Sequence, residues 1–199
     1  MKASIGIPRS GARLPARAIA GMMLLLAPLL GGCSRQSVEI FMGNFIYHGT
    51  ILSSPDDIEV TSSAIILKPG ARFAVRIDNE TQWIAEFDVK ITSGTGLTAY
   101  LRTVPHGFDT TRGIAFRYAA DGCSVRTADG TIPISYNAET DLQTLSFYNE
   151  AQRLTISAGC RKLYQEESRL PGTEFVIFET LPNSTVELRS VAYFDTNDE

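Results

Sequence analysis

Histidine and cysteine, the usual ligands of zinc, are scarce in this sequence of 199 residues. The two histidines are His48 and His106, and the three cysteines are Cys33, Cys123 and Cys160. Zinc sites place these residue types in short, regular spacings, and none of the five stands in such a spacing. We therefore expect neither a metal nor any other cofactor.

A hydrophobic run long enough to cross a bilayer is also missing. The one extended apolar segment runs from Ala18 to Leu30 and contains Pro28, whereas a spanning helix needs roughly 20 apolar residues. Before it lie four basic residues and no acidic one, and after it comes Gly31-Gly32. A positive region, a short apolar region and small residues are typical of an export signal. We expect residues 1–32 to be a signal peptide.

The end of this segment, Leu30-Gly31-Gly32-Cys33, resembles the lipobox of bacterial lipoproteins. The resemblance implies cleavage before Cys33 and attachment of diacylglycerol to its sulfur. The alternative is an ordinary signal peptide that happens to precede a cysteine. Ser34 stands where an aspartate would often retain a lipoprotein at the inner membrane, which favours the outer membrane, at its periplasmic or surface face. Residues 33–36 would then be the lipidated cysteine and a short tether, and residues 37–199 a single domain.

An excess of positive charge is absent. The signal peptide holds four of the 18 basic residues and none of the 22 acidic ones, so the remainder has 14 basic and 22 acidic residues, a formal charge of −8. Nucleic-acid binding requires a basic surface, and peripheral contact with anionic lipid requires one as well. We therefore expect no nucleic-acid partner, and a membrane link through the lipid on Cys33 alone.

Cys123 and Cys160 are the two cysteines of the expected domain, and each directly follows a glycine. Export leads to an oxidising compartment, in which an even pair of cysteines is typical of a disulfide. We expect these two to form a disulfide bond. The alternative is a pair of free thiols that act as a nucleophile or a metal ligand.

Sustained helical periodicity is missing as well, and from Gln36 onward the hydrophobic pattern has a period of two. Gly-, Pro- and Asn-containing turns interrupt it at short intervals, which is typical of antiparallel strands joined by hairpins. The fold class predicted is all-β, a two-sheet antiparallel sandwich. The predicted strands are Ser37–Tyr47, Ala64–Leu67, Arg72–Asp78, Ile84–Thr92, Leu97–Val104, Ile114–Ala119, Ser124–Ala128, Thr144–Asn149, Arg153–Ser157, Arg161–Tyr164, Thr173–Thr180 and Val186–Phe194.

The same alternation assigns side chains to faces, because successive residues of a strand point to opposite sides of the sheet. If the longer strands share one sheet, its outer face carries a set of polar and aromatic side chains that could bind a ligand. Tyrosine can stack on a sugar ring, and arginine offers planar hydrogen-bond donors. The predicted set is Glu86, Asp88, Lys90, Tyr100, Arg102, Arg117, Glu187 and Arg189.

The order of these strands resembles a known family. Trp83–Ile91, Gly96–Arg102, Gly113–Tyr118, Arg153–Gly159 and Val186–Phe194 follow one another as in the concanavalin A-like lectin and glucanase jelly roll. The strand pattern is similar to that of laminin-G-like domains and of the 3-keto-disaccharide hydrolase-like domains of bacterial lipoproteins. The resemblance covers about residues 60–195 and implies a jelly-roll sandwich. It does not fix a function, because this fold hosts lectins, hydrolases and scaffolds.

The set of catalytic carboxylates is incomplete in this sequence. Glucanases of the family resemble one another in a Glu-x-Asp-x-x-Glu strand; here Glu86 and Asp88 match the first two positions, but Ile91 replaces the last glutamate. Retaining hydrolysis needs two carboxylates about 5–5.5 Å apart. We assign no catalytic residue, although Glu86 and Asp88 are the candidates if the protein is an enzyme. No Gly-x-Ser-x-Gly sequence frames a serine nucleophile.

Three further features keep two interpretations each. The only tryptophan, Trp83, is either a core residue or an exposed stacking platform. The segment from Val104 to Arg112 is either a ligand-binding loop or a connection packed by Phe108. Two acidic clusters, Asp56-Asp57 and Asp195 with Asp198, are either calcium ligands or exposed terminal segments; neither follows a calcium-loop pattern, which favours the second interpretation.

Three functions remain open at this point. The favoured one is a non-catalytic, lipid-anchored envelope protein whose sandwich binds a glycan or a protein partner. The second is a glycoside hydrolase or lyase of the 3-keto-disaccharide hydrolase-like type. The third is a structural subunit of an envelope complex.

Overall fold

The structure is a computed structural model, and it describes residues 36–42, 45–77, 82–102, 108–150, 153–167 and 175–195. The expected signal peptide, Cys33 and most of the tether lie outside the described residues. Within these ranges no helix is long and apolar enough to span a bilayer.

Fifteen strands and one short 3₁₀ turn, Pro55–Asp57, make up the regular structure of the described residues. The strands are β1 (Gln36–Met42), β2 (Phe45–Ile51), β3 (Ile58–Val60), β4 (Ile65–Leu67), β5 (Arg72–Arg76), β6 (Gln82–Ser93), β7 (Gly96–Leu101), β8 (Ile114–Ala119), β9 (Cys123–Thr127), β10 (Gly130–Ile134), β11 (Gln143–Glu150), β12 (Arg153–Ala158), β13 (Arg161–Glu167), β14 (Phe175–Thr180) and β15 (Thr185–Asp195).

The strands form two antiparallel sheets. The eight-stranded sheet has the order β1-β2-β5-β14-β7-β8-β9-β10, and the seven-stranded sheet has the order β13-β12-β11-β6-β15-β4-β3. The predicted all-β sandwich is confirmed. Some boundaries differ: the strand predicted over 37–47 is two strands, β1 and β2, and the sequence pattern missed β3 and β10.

A single hydrophobic core lies between the two sheets, and it follows from the period of two. In β6, Ala85, Phe87 and Val89 are buried, and the residues between them are only half-buried. The Phe87 ring lies 4.8 Å from the Phe178 ring of the other sheet, centroid to centroid. Side chains from both sheets thus interlock, as face-to-face sheet packing requires.

One glycine is required where the chain turns from β6 into β7. Gly96 has a φ of 146°, and a Cβ at this position would overlap the backbone oxygen of Tyr118 on the neighbouring strand β8. Only glycine allows the backbones of β7 and β8 to approach this closely. The glycine therefore fixes the start of β7.

The prediction of a Cys123–Cys160 disulfide is wrong, because both cysteines are free thiols. Cys123 begins β9 in the eight-stranded sheet and is buried, whereas Cys160 is exposed in the turn between β12 and β13 of the other sheet. Burial raises the pKa of the Cys123 thiol. Similar glycine turns precede both cysteines, but the Cys123 side chain is enclosed in the core, with Sγ 3.8 Å from the Ala119 carbonyl oxygen, whereas Cys160 lies at the surface.

Candidate functional site

The predicted ligand-binding face is divided between the two sheets. Strands β7 and β8, which carry Tyr100 and Arg117, belong to the eight-stranded sheet, whereas β6 and β15 pair in the seven-stranded sheet. The prediction that all these side chains share one face is therefore wrong. The outer face of the seven-stranded sheet keeps five of them, namely Glu86, Asp88, Lys90, Glu187 and Arg189.

Arg102 does not lie on either outer face, so the prediction for this residue is also wrong. It is 2% exposed, and its Nε and NH2 donate hydrogen bonds of 3.0 and 2.7 Å to Oδ1 of Asn149, which is fully buried. Its φ of 49° lies in the left-handed region and ends the alternation of β7 directly after Leu101. Burial lowers the pKa of the guanidinium, and the charge of Glu166 opposes this shift.

Arg117 lies on the outer face of the eight-stranded sheet, but its guanidinium is hydrogen-bonded to the adjacent turn. NH2 lies 2.7 and 2.9 Å from the two carboxylate oxygens of Asp121, and NH1 donates to the carbonyl of Gly122. Both partners belong to the turn between β8 and β9. The geometry assigns Arg117 to the support of this hairpin.

Tyr100 is half-buried on the same outer face. Its hydroxyl donates a 3.0 Å hydrogen bond to Glu179, the outward-facing residue of the neighbouring strand β14. Burial raises the pKa of Tyr100, the Glu179 charge raises it further, and the charges of Arg126 and Arg72 lower it. Tyr100 therefore belongs to a polar cluster that the sequence pattern did not assemble.

Glu86 and Asp88 lie side by side on β6, on the outer face of the seven-stranded sheet, and both accept hydrogen bonds from β11. The hydroxyl of Ser146 donates to Glu86 at 3.0 Å, and that of Thr144 donates to Asp88 at 2.6 Å. Tyr148 adds a longer contact of 3.5 Å to Glu86. The two carboxylates are thus built into a polar ladder across β6 and β11.

Glu187 and Arg189 form an ion pair on β15. Nε and NH2 of Arg189 lie 2.8 and 2.7 Å from Oε2 of Glu187. A β-bulge between Leu188 and Ser190 leaves Arg189 without an opposing residue on β6, and bulges commonly redirect a side chain near a site. Lys90 is the direct neighbour of Glu187 across the strand pair.

A shallow depression of about 300 Å³ lies beside this ion pair, on the outer face of the seven-stranded sheet. The chain that links β3 to β4 supplies hydroxyl side chains, β4 supplies an apolar one, and β15 supplies the charges. The lining residues are Thr61, Ser63, Ala64, Ile66, Glu187 and Arg189.

The strands explain why Ile66 and Glu187 meet in the depression. Ile66 is opposite Glu187 in the β4–β15 register. Thr61 accepts hydrogen bonds from the backbone N–H groups of Ser63 and Ala64 and donates to the Ala64 carbonyl at 3.0 Å, which fixes the turn. Sequence reasoning identified Glu187 and Arg189 but missed Thr61, Ser63 and Ile66; their only signal was the hydroxyl-rich run before Ala64.

The structure decides one of the open interpretations. Trp83 is fully buried in the core, so it is no stacking platform. Phe108 packs on Phe175, with ring centroids 4.8 Å apart; residues 104–107 of this loop lie outside the described residues, so both interpretations of the loop stay predictions. Asp56 and Asp57 are in the exposed or half-exposed 3₁₀ turn, and no group of three or more potential metal ligands occurs among the described residues.

No protein-family model and no curated protein matches the sequence. Solved structures do resemble the fold. The carbohydrate-binding module CBM66 from Bacillus subtilis has a TM-score of 0.53 and 15% identity, with 74% of this chain and 95% of that chain covered. The exoplasmic/lumenal domain of VIP36, in its Ca²⁺/Man3GlcNAc-bound form, has a TM-score of 0.54 and 13% identity, with 81% and 88% covered.

A sialidase has a TM-score of 0.58 and 9% identity, with 75% of this chain covered but only 17% of the sialidase. These similarities agree with the jelly-roll sandwich expected from the strand order. At such identities they establish the fold alone.

Proposed function

We propose that this protein is a lipid-anchored envelope lipoprotein whose sandwich binds a glycan without cleaving it, through the depression beside Glu187 and Arg189. The observation that carries the proposal is the lining of that depression. Hydroxyl groups, an Arg–Glu pair and two aliphatic side chains converge there on a surface formed by paired strands and the turn before β4.

These groups match the chemistry of a sugar. Each sugar hydroxyl both donates and accepts hydrogen bonds, while a carboxylate accepts, a guanidinium donates and a serine hydroxyl does both. Ile66 provides apolar contact for the C–H groups of the ring. The volume of about 300 Å³ is at the small end of the range for ligand sites, which suits one or two sugar units.

The electrostatics favour an uncharged glycan at this position. Glu187 and Arg189 neutralise one another at 2.7 Å, and Lys90 faces Glu187 from β6 while Glu86 and Asp88 lie further along the same strand. A charged ligand would meet groups of both signs. A neutral sugar can use the carboxylate and the guanidinium as an acceptor and a donor without separating the ion pair.

The names of the structural neighbours support glycan binding at a coarse level. One neighbour is a carbohydrate-binding module, one is a protein in a mannose-containing complex, and one is a sialidase. The sandwich is thus a framework on which sugar recognition occurs in other proteins. The choice of site in this chain depends on the depression alone.

Replacement of Arg189 with alanine is expected to weaken glycan binding by about tenfold or more, because a hydrogen bond to a charged group contributes about 1.5–3 kcal/mol. The side chain is 43% exposed, so the fold should be unaffected. The measurement is a neutral-glycan array followed by isothermal titration calorimetry with the best ligand. Arg153→Ala is the matched control, because its side chain is 50% exposed on a distant strand, β12, of the same sheet.

Equal binding by wild type and Arg189→Ala would contradict the proposed site. No glycan binding, together with a protein recovered from envelope membranes by cross-linking, would instead favour a docking subunit. Release of shortened glycan by wild type but not by Glu86→Gln would contradict the non-catalytic assignment and favour a hydrolase or lyase.

Replacement of Cys33 with serine is expected to abolish lipid attachment, because the thiol is the proposed acyl acceptor. In a bacterium that processes lipoproteins, the wild-type chain should partition into the detergent phase and incorporate labelled fatty acid, and the variant should do neither. Cys160→Ser is the control, since this exposed thiol has no role in the anchor. Equal labelling of Cys33→Ser and wild type would refute the lipoprotein assignment.

A further inference from the structure

The outer face of the eight-stranded sheet is cationic in a chain that is acidic overall. From β5 to β10, the described charged side chains that point outward are four arginines and one glutamate. They are Arg72, Arg76, Arg117, Arg126 and Glu179. Residues 33–199 nevertheless carry a formal charge of −8. The strand residues of this face thus carry a net positive charge, although Asp121 of the adjacent turn neutralises Arg117.

Two of these arginines converge on a single residue. NH2 of Arg72 lies 3.4 Å from Oγ1 of Thr110, and NH2 of Arg126 lies 3.5 Å from the Thr110 carbonyl oxygen. Arg72 is on β5 and Arg126 on β9, with three strands between them, a separation of about 19 Å at the backbone. Both side chains must therefore extend toward each other across the sheet.

The guanidinium groups have unused hydrogen-bonding capacity at this point. Contacts of 3.4 and 3.5 Å are at the long limit for a hydrogen bond, whereas a guanidinium–carboxylate bond is about 2.7–2.9 Å. Nε of Arg72 is buried and has no hydrogen-bond partner, although Oε2 of Glu179 lies 3.4 Å away. A carboxylate of a ligand would satisfy the NH2 groups of both arginines better than Thr110 does.

The surface between the two arginines suits a sugar ring. Tyr100 lies there half-buried; its outward-pointing strand neighbours Ala115 and Ile177 are 7% and 0% exposed, so of these three side chains only Tyr100 is open to a ligand. The exposed part of an aromatic ring can contact the C–H face of a pyranose. A flat anionic membrane, in contrast, attracts basic side chains that extend freely from the surface, and Arg72 is recessed, with its side chain only 33% exposed.

We propose that this face is a second binding site, which takes the carboxylate of an acidic polysaccharide between Arg72 and Arg126. Tyr100 contacts the ring of the same uronic acid unit. Thr110 occupies the two guanidinium groups when no ligand is bound, and the carboxylate replaces it as the acceptor. This site is on the opposite side of the sandwich from the depression, and it does not depend on the function proposed there.

Replacement of Arg126 with alanine tests this site, because Arg126 is exposed and its loss should leave the fold intact. The probe is tetragalacturonate, measured by isothermal titration calorimetry with the whole protein. We expect at least about a tenfold loss of affinity in Arg126→Ala, a smaller loss in Arg126→Lys, and no change in Arg153→Ala. The methyl-esterified tetramer, which lacks the charge, should bind at least about tenfold more weakly than the acid.

Several outcomes would overturn the proposal. These are absence of tetragalacturonate binding, equal affinity for the ester, an equal loss in Arg126→Ala and Arg153→Ala, or binding only to phosphatidylglycerol vesicles. Arg189→Ala separates the two sites: it should retain tetragalacturonate binding while it loses the neutral glycan. A result that contradicts one proposed site can therefore be distinguished from a result that contradicts the other.

Discussion

Replacement of Phe87 with alanine is expected to lower the free energy of unfolding by about 3–5 kcal/mol, the usual cost of removing a buried phenylalanine. Phe87 is fully buried in β6. Its ring contacts Phe178 of the eight-stranded sheet at 4.8 Å and Phe147 of its own sheet at 5.8 Å, centroid to centroid. The substitution leaves a cavity at the place where the two sheets interlock.

Urea denaturation followed by circular dichroism measures this loss. Domains of this size unfold with about 5–15 kcal/mol, so the variant should retain a folded baseline but show a much lower midpoint. Leu142→Ala is the control, because Leu142 is 43% exposed and its loss should change stability by less than about 0.5 kcal/mol. A loss below 1 kcal/mol in Phe87→Ala would show that the sheets do not share a core at this residue.

The position of Phe87 could be predicted from the sequence because alternation is a local property. Ala85, Phe87 and Val89 are separated by polar residues, so the strand and its buried face follow from a period of two. The same local reasoning assigned Tyr100 and Glu86 to outward positions, and both are half-buried residues of outer faces. For the longer alternating strands, secondary structure and burial could therefore be predicted without the fold, whereas β3, β10 and the burial of Arg102 could not.

Sheet membership could not be predicted in this way. Tyr100 and Glu86 are outward residues on opposite sides of the sandwich, because β7 pairs with β14 and β8 whereas β6 pairs with β11 and β15. Each of these choices between distant strands depends on packing rather than on local pattern. The proposed disulfide failed for a related reason: Cys123 and Cys160 follow similar turns, but the fold buries Cys123 and leaves Cys160 at the surface.

The candidate sites show a similar limit. Glu187 and Arg189 were found from alternation, and the bulge after Leu188 leaves both on the outer face. Thr61 and Ser63 belong to a turn between two three-residue strands, which are too short to show a period. Arg72 and Arg126 meet at Thr110 only through the order of five strands, so no sequence pattern could bring them together.

Arg102 departs most clearly from the alternation of its strand, and the second large prediction concerns its hydrogen-bond partner, Asn149. Replacement of Asn149 with leucine is expected to destabilise the protein by about 3 kcal/mol, because it removes both hydrogen bonds that Oδ1 accepts from a buried guanidinium. Burial lowers the pKa of Arg102 because the charged guanidinium is poorly solvated. Water can therefore do little to replace the two lost hydrogen bonds. Urea unfolding of the single variant measures the loss.

The double variant Arg102→Met, Asn149→Leu tests the physical cause. Removal of the charge and the amide together leaves apolar side chains of similar volume, and such replacements of buried ionic groups are often neutral or stabilising. The left-handed φ of 49° at residue 102 imposes similar strain on methionine and arginine. We therefore expect the double variant to lose less stability than the sum of the losses in the two single variants. Additive losses in a double-mutant cycle would contradict this account, because they would mean that the guanidinium and the amide do not act as a pair.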